Sequence, residues 1–181
     1  MAMINSIDAN FRQWNDEYGW PEDGEEWKGQ ARLCGVSYPE WKASVVQYLL
    51  APAIAPEATV LEIGPGHGRW TAEILPRCRR AILVDLAPNC IDYCRRRFAA
   101  FPHVEYHVGD GRSVSAVGPE EVDLVWSFDV FVHIDPESFS GYLRELHRVL
   151  RQGGRAILHH AGRRNWALPL AFLRERGPKA S

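Results

Sequence analysis

The fold of this chain is decided by the stretch Thr59-Val60-Leu61-Glu62-Ile63-Gly64-Pro65-Gly66-His67-Gly68-Arg69-Trp70. Its pattern predicts an apolar strand, a glycine-rich turn and the start of a helix. Glycine has no Cβ and tolerates positive φ, so a ligand can lie directly against the backbone of such a turn. The helix that follows offers unpaired N–H groups to polar ligand atoms. The stretch therefore predicts a binding site at the end of a buried strand.

The spacing of the glycines distinguishes between ligands. A dinucleotide-binding turn has the spacing G-x-G-x-x-G, whereas Gly64, Gly66 and Gly68 follow the spacing G-x-G-x-G. Arg69 stands where the third glycine of the dinucleotide pattern would be, and Glu62 lies within the strand. The spacing therefore argues against a nicotinamide cofactor. A glycine-rich turn that binds no ligand is the alternative interpretation.

The composition is that of an ordinary globular domain. The chain has 181 residues, of which 46% are hydrophobic and 24% are charged, which is enough for one domain with a sizeable core. It contains no apolar run of roughly 18 residues or more, so no membrane span is predicted. The first residues lack the basic and apolar segments of a secretory signal. We therefore expect a cytoplasmic protein.

The cysteine and charge patterns predict neither a metal site nor a surface that binds nucleic acid. The four cysteines contain no C-x-x-C pair, so we expect reduced thiols and no metal site. The net charge is −2, although residues 1–40 are acidic and residues 144–181 are basic. A basic end can attract phosphates, but no basic run exceeds three residues. A solvated surface is therefore the favoured interpretation.

Strand and helix signals alternate over residues 37–160. Ser37-Tyr38-Pro39-Glu40 matches a capping box and predicts a helix to about residue 50. Predicted strands cover about 59–63, 81–85, 103–108, 122–128 and 155–159. Later helices are predicted at about 69–76, 88–99 and 136–150, the last of them ended by Gly153-Gly154. This alternation predicts an α/β fold, a Rossmann-like doubly wound parallel sheet of about five strands.

Residues 1–36 form a separate aromatic and acidic segment before the core at 37–160. Its rings belong to Phe11, Trp14, Tyr18, Trp20 and Trp27. One interpretation is a lid whose rings cover a cofactor or substrate and exclude water. The other is a loose arm that the rings anchor to the sheet. A short basic tail, residues 161–181, follows the core.

Acidic side chains follow the first strands of the predicted sheet. Ligands of doubly wound sheets bind at the carboxyl ends of the strands, where the second strand ends in Asp85 and the third in Gly109-Asp110-Gly111. The Asp85 carboxylate can accept hydrogen bonds from both hydroxyls of a ribose. The Asp110 carboxylate can accept from an adenine amino group, unless it only forms an Asp–Gly turn. These positions predict an adenosyl ligand.

The glycine turn, with Glu62, Asp85 and Asp110 on successive strands, resembles the class I methyltransferases that use S-adenosylmethionine. The resemblance covers roughly residues 37–160 and implies that cofactor. It implies that Glu62 and the glycines hold the methionine part, that Asp85 holds the ribose, and that Asp110 holds the adenine. Phe128 and Asp129 match the motif beside the transferred methyl group. The full set of implied cofactor-binding residues is Glu62, Gly64, Pro65, Gly66, Gly68, Asp85, Leu86, Asp110, Gly111, Phe128 and Asp129, with Trp27 from the N-terminal segment.

Three strings resemble bacterial methyltransferases of cell-surface polysaccharides, namely Gly24-Glu25-Glu26-Trp27, Gly66-His67-Gly68-Arg69-Trp70 and Ile157-Leu158-His159-His160. This resemblance implies methylation of an oxygen of a sugar or small molecule. Two alternatives stay open. The first is another adenosyl- or nucleotide-binding enzyme on the same fold, and the second is a non-catalytic module that binds the cofactor.

A sugar hydroxyl has to lose its proton during such a reaction, and histidine is the usual base at neutral pH. His133, His159 and His160 all lie just past predicted strand ends. Side chains alternate along a strand, so at most one of His159 and His160 should face the site. Asp129 could orient a histidine or bind the cofactor instead. Each histidine could also be purely structural.

The end of the chain departs from the family pattern. The family's sheet has two more strands after the fifth, whereas only 21 residues follow His160 and show no strand pattern. We therefore expect a sheet that lacks the last two strands, with residues 161–181 folded over one face. The open edge would be completed by a second chain, as in a homodimer, or by residues beyond this sequence.

Overall fold

Five apolar segments form one parallel sheet in the computed structural model, which describes residues 6–26 and 28–160. The strands are β1 (Thr59–Ile63), β2 (Arg80–Asp85), β3 (Val104–Val108), β4 (Val122–Ser127) and β5 (Leu150–Leu158). Their order across the sheet is β3-β2-β1-β4-β5, and every neighbouring pair is parallel. The predicted doubly wound sheet is confirmed. Because the strand order reverses next to β1, the glycine turn lies at the switch point of the sheet.

Helices cover both faces of the sheet. They are α1 (Ile7–Phe11), α2 (Gly29–Leu33), α3 (Tyr38–Val45), α4 (Thr71–Ile74), α5 (Pro88–Arg97) and α6 (Pro136–Val149). Two of them continue into π-helical turns, α1 over Arg12–Glu17 and α3 over Val46–Leu50. In the part of the chain that the structure describes, no helix is both long and apolar enough to cross a membrane.

The helix starts follow from local capping. The Ser37 hydroxyl accepts from the Glu40 N–H, and the Glu40 carboxylate accepts from the Ser37 N–H at 3.0 Å, so the predicted capping box is present. Asp135 caps α6 in the same manner, because its Oδ1 accepts from the N–H groups of Glu137 and Ser138. The second cap fixes the loop that leads from β4 to α6.

The boundary between α6 and β5 differs from the sequence prediction. The helix ends at Val149, and β5 already begins at Leu150, so Gly153-Gly154 lies within the strand and does not end the helix. The pairing with β4 shifts between Val122 and Leu124, where β5 carries extra residues. Gly153 has a φ of 80°, a value open to glycine. The glycine pair therefore marks an irregularity in the strand, which is the other common role of glycine in such a position.

Two groups of predictions lie outside the described residues. They are the cofactor contact of Trp27 and the whole of the tail at 161–181, with the expected open edge and missing strands. Within the described ranges, β5 pairs with β4 and stands at the end of the strand order.

Alternate residues of β1 face opposite layers of the core. Leu61 and Ile63 pack in the cluster that includes Tyr142 and Leu146 of α6. Val60 packs on the other side, in a cluster with several tryptophans. Strand periodicity places Glu62 on the Val60 side, where it is 2% exposed and accepts a hydrogen bond from the Thr71 hydroxyl at 2.6 Å. A carboxylate thus lies inside an apolar layer.

We expect Glu62→Gln to make stability less dependent on pH. Burial raises the pKa of Glu62 to about 8, from an ordinary value of 4.5. The folded chain keeps this proton while the unfolded chain releases it, so the wild-type protein should lose stability as pH rises from about 4.5 to 8. Thermal unfolding of the ligand-free protein at pH 5 to 8 measures the effect. Between pH 5 and pH 8, the free energy of unfolding of the variant should rise relative to that of wild type by on the order of 1–3 kcal/mol.

The matched control is Glu57→Gln, because the Glu57 side chain is 87% exposed. This control should keep the pH dependence of the wild-type protein. Equal pH dependence in Glu62→Gln and wild type would contradict the assignment.

Candidate functional site

A cleft opens at the carboxyl ends of β1, β2 and β4, and the N-terminal segment forms its outer wall. It encloses about 840 Å³ of empty space, including the part that is open to solvent. Eight of the residues predicted from sequence line it, namely Gly64, Gly66, Asp85, Leu86, Gly111, Phe128, Asp129 and His133. The parallel sheet brings these residues together because all of them follow strands that end at the same edge.

The glycine turn presents bare backbone to the cleft. Gly64 and Gly66 have φ values of 71° and 55°, which disfavour any residue with a side chain. A Cβ on Gly66 would lie 2.5 Å from the ring of Trp20, so the turn also makes room for the N-terminal segment. A Cβ on Gly68 would meet the ring of Phe98 instead. Gly68 therefore allows the turn to pack closely, whereas Gly64 and Gly66 border the cleft.

Asp85 ties the glycine turn to the end of β2. Its Oδ2 accepts from the N–H of Gly66 at 3.1 Å, and its Oδ1 accepts from the N–H of Ala87 at 2.9 Å. Burial raises the pKa of Asp85 to about 6, against the effect of these backbone donors. The carboxylate faces the cleft and has lone pairs left for further donors.

Four predicted cofactor residues lie away from the cleft lining among the described residues. Glu62 is buried behind the turn, and Pro65 and Gly68 pack within it. Asp110 borders a second, smaller hollow beside β3. Its two carboxylate oxygens accept from the N–H groups of Arg112 and Ser113 and from the Ser113 hydroxyl. Asp110 thus makes a local turn with the residues that follow it, and its contact with the adenine stays a prediction.

A buried arginine joins the N-terminal segment to the sheet. Arg69 is 1% exposed, and its Nη2 donates to Asp129 Oδ2 at 2.7 Å. Its Nη1 donates to the backbone carbonyl of Glu26 at 2.8 Å, and its Nε lies 3.3 Å from Glu26 Oε1. Burial alone would lower the pKa of Arg69, but the two carboxylates outweigh it and raise that pKa. Arg69 and Glu26 both occur in the strings that resemble polysaccharide methyltransferases, but the sequence pattern did not predict either of them as a site residue.

Asp129 is held in a strained conformation at the end of β4. Its φ is 64°, which is uncommon for a residue with a side chain. Its carboxylate contacts Arg69, the amide of Gln30 at 2.8 Å and His159 Nδ1 at 2.8 Å. Burial favours the neutral acid, but His159 and Arg69 outweigh burial and hold the pKa of Asp129 below its usual value. Asp129 is therefore a fixed anion that orients His159.

The three candidate histidines lie in different surroundings. His133 lines the cleft, and its ring lies 5.0 Å from that of Trp14. Burial lowers the pKa of His133, and Asp129 opposes that shift. His159 stacks on the ring of Phe128 at 4.5 Å. His160 is exposed, lies near Phe139 and is absent from the cleft lining.

The described N-terminal residues reach the cleft, as the lid interpretation expects. Trp14 and Trp20 line it, and the Trp20 ring stacks on His67, which in turn stacks on Tyr93. Asn10 donates from its amide to the backbone carbonyl of His133 at 3.1 Å. The same contacts attach the segment to the sheet, as the arm interpretation expects. Over the described ranges, no group of three acidic, cysteine or histidine side chains has the arrangement of a metal site.

Comparisons with known proteins agree on one family. The model of the methyltransferase domain family matches residues 60–154. Nodulation protein S of Rhizobium tropici is 30% identical over 131 residues, which is 72% of this chain and 54% of that protein. Phosphoethanolamine N-methyltransferase 1 of Caenorhabditis elegans is 26% identical over 160 residues, which is 88% of this chain and 32% of that protein. The chain thus spans about half or less of the length of these curated relatives.

Solved structures share the fold. The phosphoethanolamine N-methyltransferase 1 of Haemonchus contortus, in complex with phosphoethanolamine and S-adenosylhomocysteine, has a TM-score of 0.67 at 20% identity, over 96% of this chain and 37% of that one. The YcgJ protein of Bacillus subtilis has a TM-score of 0.56 at 21% identity, over 66% of this chain and 50% of that one.

We expect Arg69→Met to destabilise the fold strongly. The change would leave the buried carboxylates of Glu26 and Asp129 without their shared partner, which costs about 3–5 kcal/mol for a buried pair. Urea unfolding monitored by tryptophan fluorescence measures the loss. Arg79→Met is the control, because the Arg79 side chain is 54% exposed and should contribute less than about 1 kcal/mol. A loss of similar size in both variants would contradict the role of Arg69.

Proposed function

Because the chain belongs to the methyltransferase domain family, we propose that it binds S-adenosylmethionine and methylates an oxygen of a sugar or small molecule. The observation that carries this proposal is the pairing of bare backbone at Gly64 and Gly66 with the Asp85 carboxylate in one cleft. A ligand that combines ribose hydroxyls with an amino-acid end would use both features. The Haemonchus contortus relative holds S-adenosylhomocysteine on the same fold.

The residues present fit this cofactor. Asp85 would accept hydrogen bonds from the ribose hydroxyls, and the backbone of the glycine turn, whose positive φ values disfavour side chains, would lie along the methionine part. Leu86 and Gly111 would border the adenine, since both line the cleft next to Asp85. When bound, S-adenosylmethionine supplies an electrophilic methyl carbon on its sulfonium sulfur.

The chain's own residues then have to align the acceptor, exclude water and remove one proton. Trp14, Trp20 and Phe128 supply flat apolar walls suited to a sugar ring. His133 lines the same cleft and would accept the proton that the acceptor hydroxyl has to lose. Its lowered pKa keeps the imidazole neutral, and therefore able to accept a proton, at neutral pH.

An acceptor screen with radiolabelled S-adenosylmethionine tests the proposed function. Glycans and small hydroxylated natural products should accept label, and the product should carry it on oxygen. Cofactor binding without transfer to any acceptor would favour the non-catalytic module. Preferential binding of NAD would favour the other enzyme class and overturn the proposal.

We expect Asp85→Ala to weaken binding of S-adenosylhomocysteine by roughly 1–3 kcal/mol, since hydrogen bonds to a carboxylate are lost. Gly66→Val should abolish binding, because the added side chain fills the space along the turn and strains a positive φ. Titration calorimetry measures both, with the exposed Asp92→Ala as control. Unchanged affinity in both folded variants would refute this placement of the cofactor.

We expect His133→Gln to lower kcat at least about 100-fold while leaving cofactor binding intact, as for loss of a general base. The wild-type rate needs the neutral imidazole. Because burial lowers the pKa of His133 below 6.5, the rate should hold at pH 7 and fall only on the acid side of pH 6.5. Initial rates from pH 5 to 8 test this, with the exposed His147→Gln as control. Full activity in His133→Gln with loss in His159→Gln would move the role to His159.

A further inference from the structure

One guanidinium, that of Arg69, is shared by two carboxylates, Glu26 and Asp129, and all three side chains are at most 11% exposed. Asp129 has further donors in Gln30 and in the contact with His159. Glu26 therefore shares its guanidinium with a second acid, and a buried carboxyl group that is only partly paired is costly.

Glu26 has an oxygen with no partner inside the protein. Its Oε1 lies beside Arg69 Nε, whereas Oε2 is buried without a hydrogen bond. Glu26 also lines the cleft. Burial raises the pKa of Glu26 to about 7, which fits a carboxylate in need of a positive neighbour. The neighbouring Glu25 contrasts with it, because its carboxylate is held by Lys42 at 2.5 Å and by the Tyr38 hydroxyl.

The rest of the cleft favours a cation over a phosphate. Among the described lining residues there is no lysine or arginine. The carboxylate of Asp135 is occupied as the cap of α6, and Asp85 accepts from backbone N–H groups. The rings of Trp14 and Trp20 stand in the same wall as Glu26, and aromatic faces attract cations. A carboxylate and aromatic rings that line one cleft are typical receptor groups for an ammonium ion.

We propose that Glu26 Oε2 binds the ammonium group of an amine-bearing acceptor, such as an amino sugar, whose hydroxyl receives the methyl group. The proposal rests on the proposed function. It assigns the ammonium to the acceptor because Glu26 and Asp129 meet at the same guanidinium, at the β4 end of the cleft beside Phe128. Asp85, which would hold the cofactor's ribose, lies at the end of β2 on the other side of β1.

The test compares glucosamine with N-acetylglucosamine, which has the same ring with its amine made neutral. Thermal shifts and titration calorimetry are recorded on the protein saturated with S-adenosylhomocysteine. We expect wild type to bind glucosamine at least tenfold more tightly than N-acetylglucosamine. Glu26→Gln should remove this preference and keep the affinity for S-adenosylhomocysteine within about threefold, whereas Glu25→Gln should keep both.

Each outcome decides the proposal. Equal responses of wild type to the two sugars, including no response to either, overturn it. This comparison uses only the wild-type protein, so it does not depend on whether a variant folds. A loss of S-adenosylhomocysteine affinity in Glu26→Gln that matches the loss of sugar preference overturns it as well, because the carboxylate would then serve the cofactor. Failure of the proposed function has different signatures, since wild type would then either not bind S-adenosylhomocysteine at all or bind it and transfer no methyl group to any acceptor in the radiolabel screen.

Discussion

The candidate site depends on one interaction, the buried guanidinium of Arg69 between Glu26 and Asp129. An arginine that is 1% exposed is tolerated only where carboxylates and carbonyl groups surround it. Its partners come from the N-terminal segment and from the loop after β4, while Arg69 itself belongs to the turn after β1. The ion pairs therefore fix the outer wall of the cleft against the sheet and hold Asp129 in its strained conformation.

The glycine turn is prepared for a ligand by its own hydrogen bonds. Gly64 donates to the carbonyl of Val84 at 2.8 Å, and Gly66 donates to Asp85. These two hydrogen bonds fix the turn to the end of β2. Of the groups that a ligand would need, they use only part of the Asp85 carboxylate. Trp20 closes the turn from outside, so access depends on how this ring and the N-terminal segment are placed.

The two ends of the cleft differ in chemistry. At the end of β2 a carboxylate faces bare backbone, which suits hydroxyl groups and a flat adenosyl ligand. At the end of β4 a buried ion-pair cluster is combined with Phe128, His133 and tryptophan rings, which suits an acceptor. The two ends lie on opposite sides of β1, and the proposed function assigns the cofactor to the first and the acceptor to the second.

The sequence by itself determined that a parallel sheet forms and that the cleft lies at its strand ends, because apolar runs, glycines and caps act locally. The strand and turn around Gly64 and the capping box at Ser37 could therefore be predicted, as could the strand-end placement of Asp85. Tertiary structure alone decided that Arg69 pairs with Glu26, which lies 43 residues earlier in the chain. It also decided that Gly153 interrupts β5, since the same glycine pair ends helices elsewhere. Burial and long-range charge pairing depend on where distant segments meet, and no local pattern encodes that.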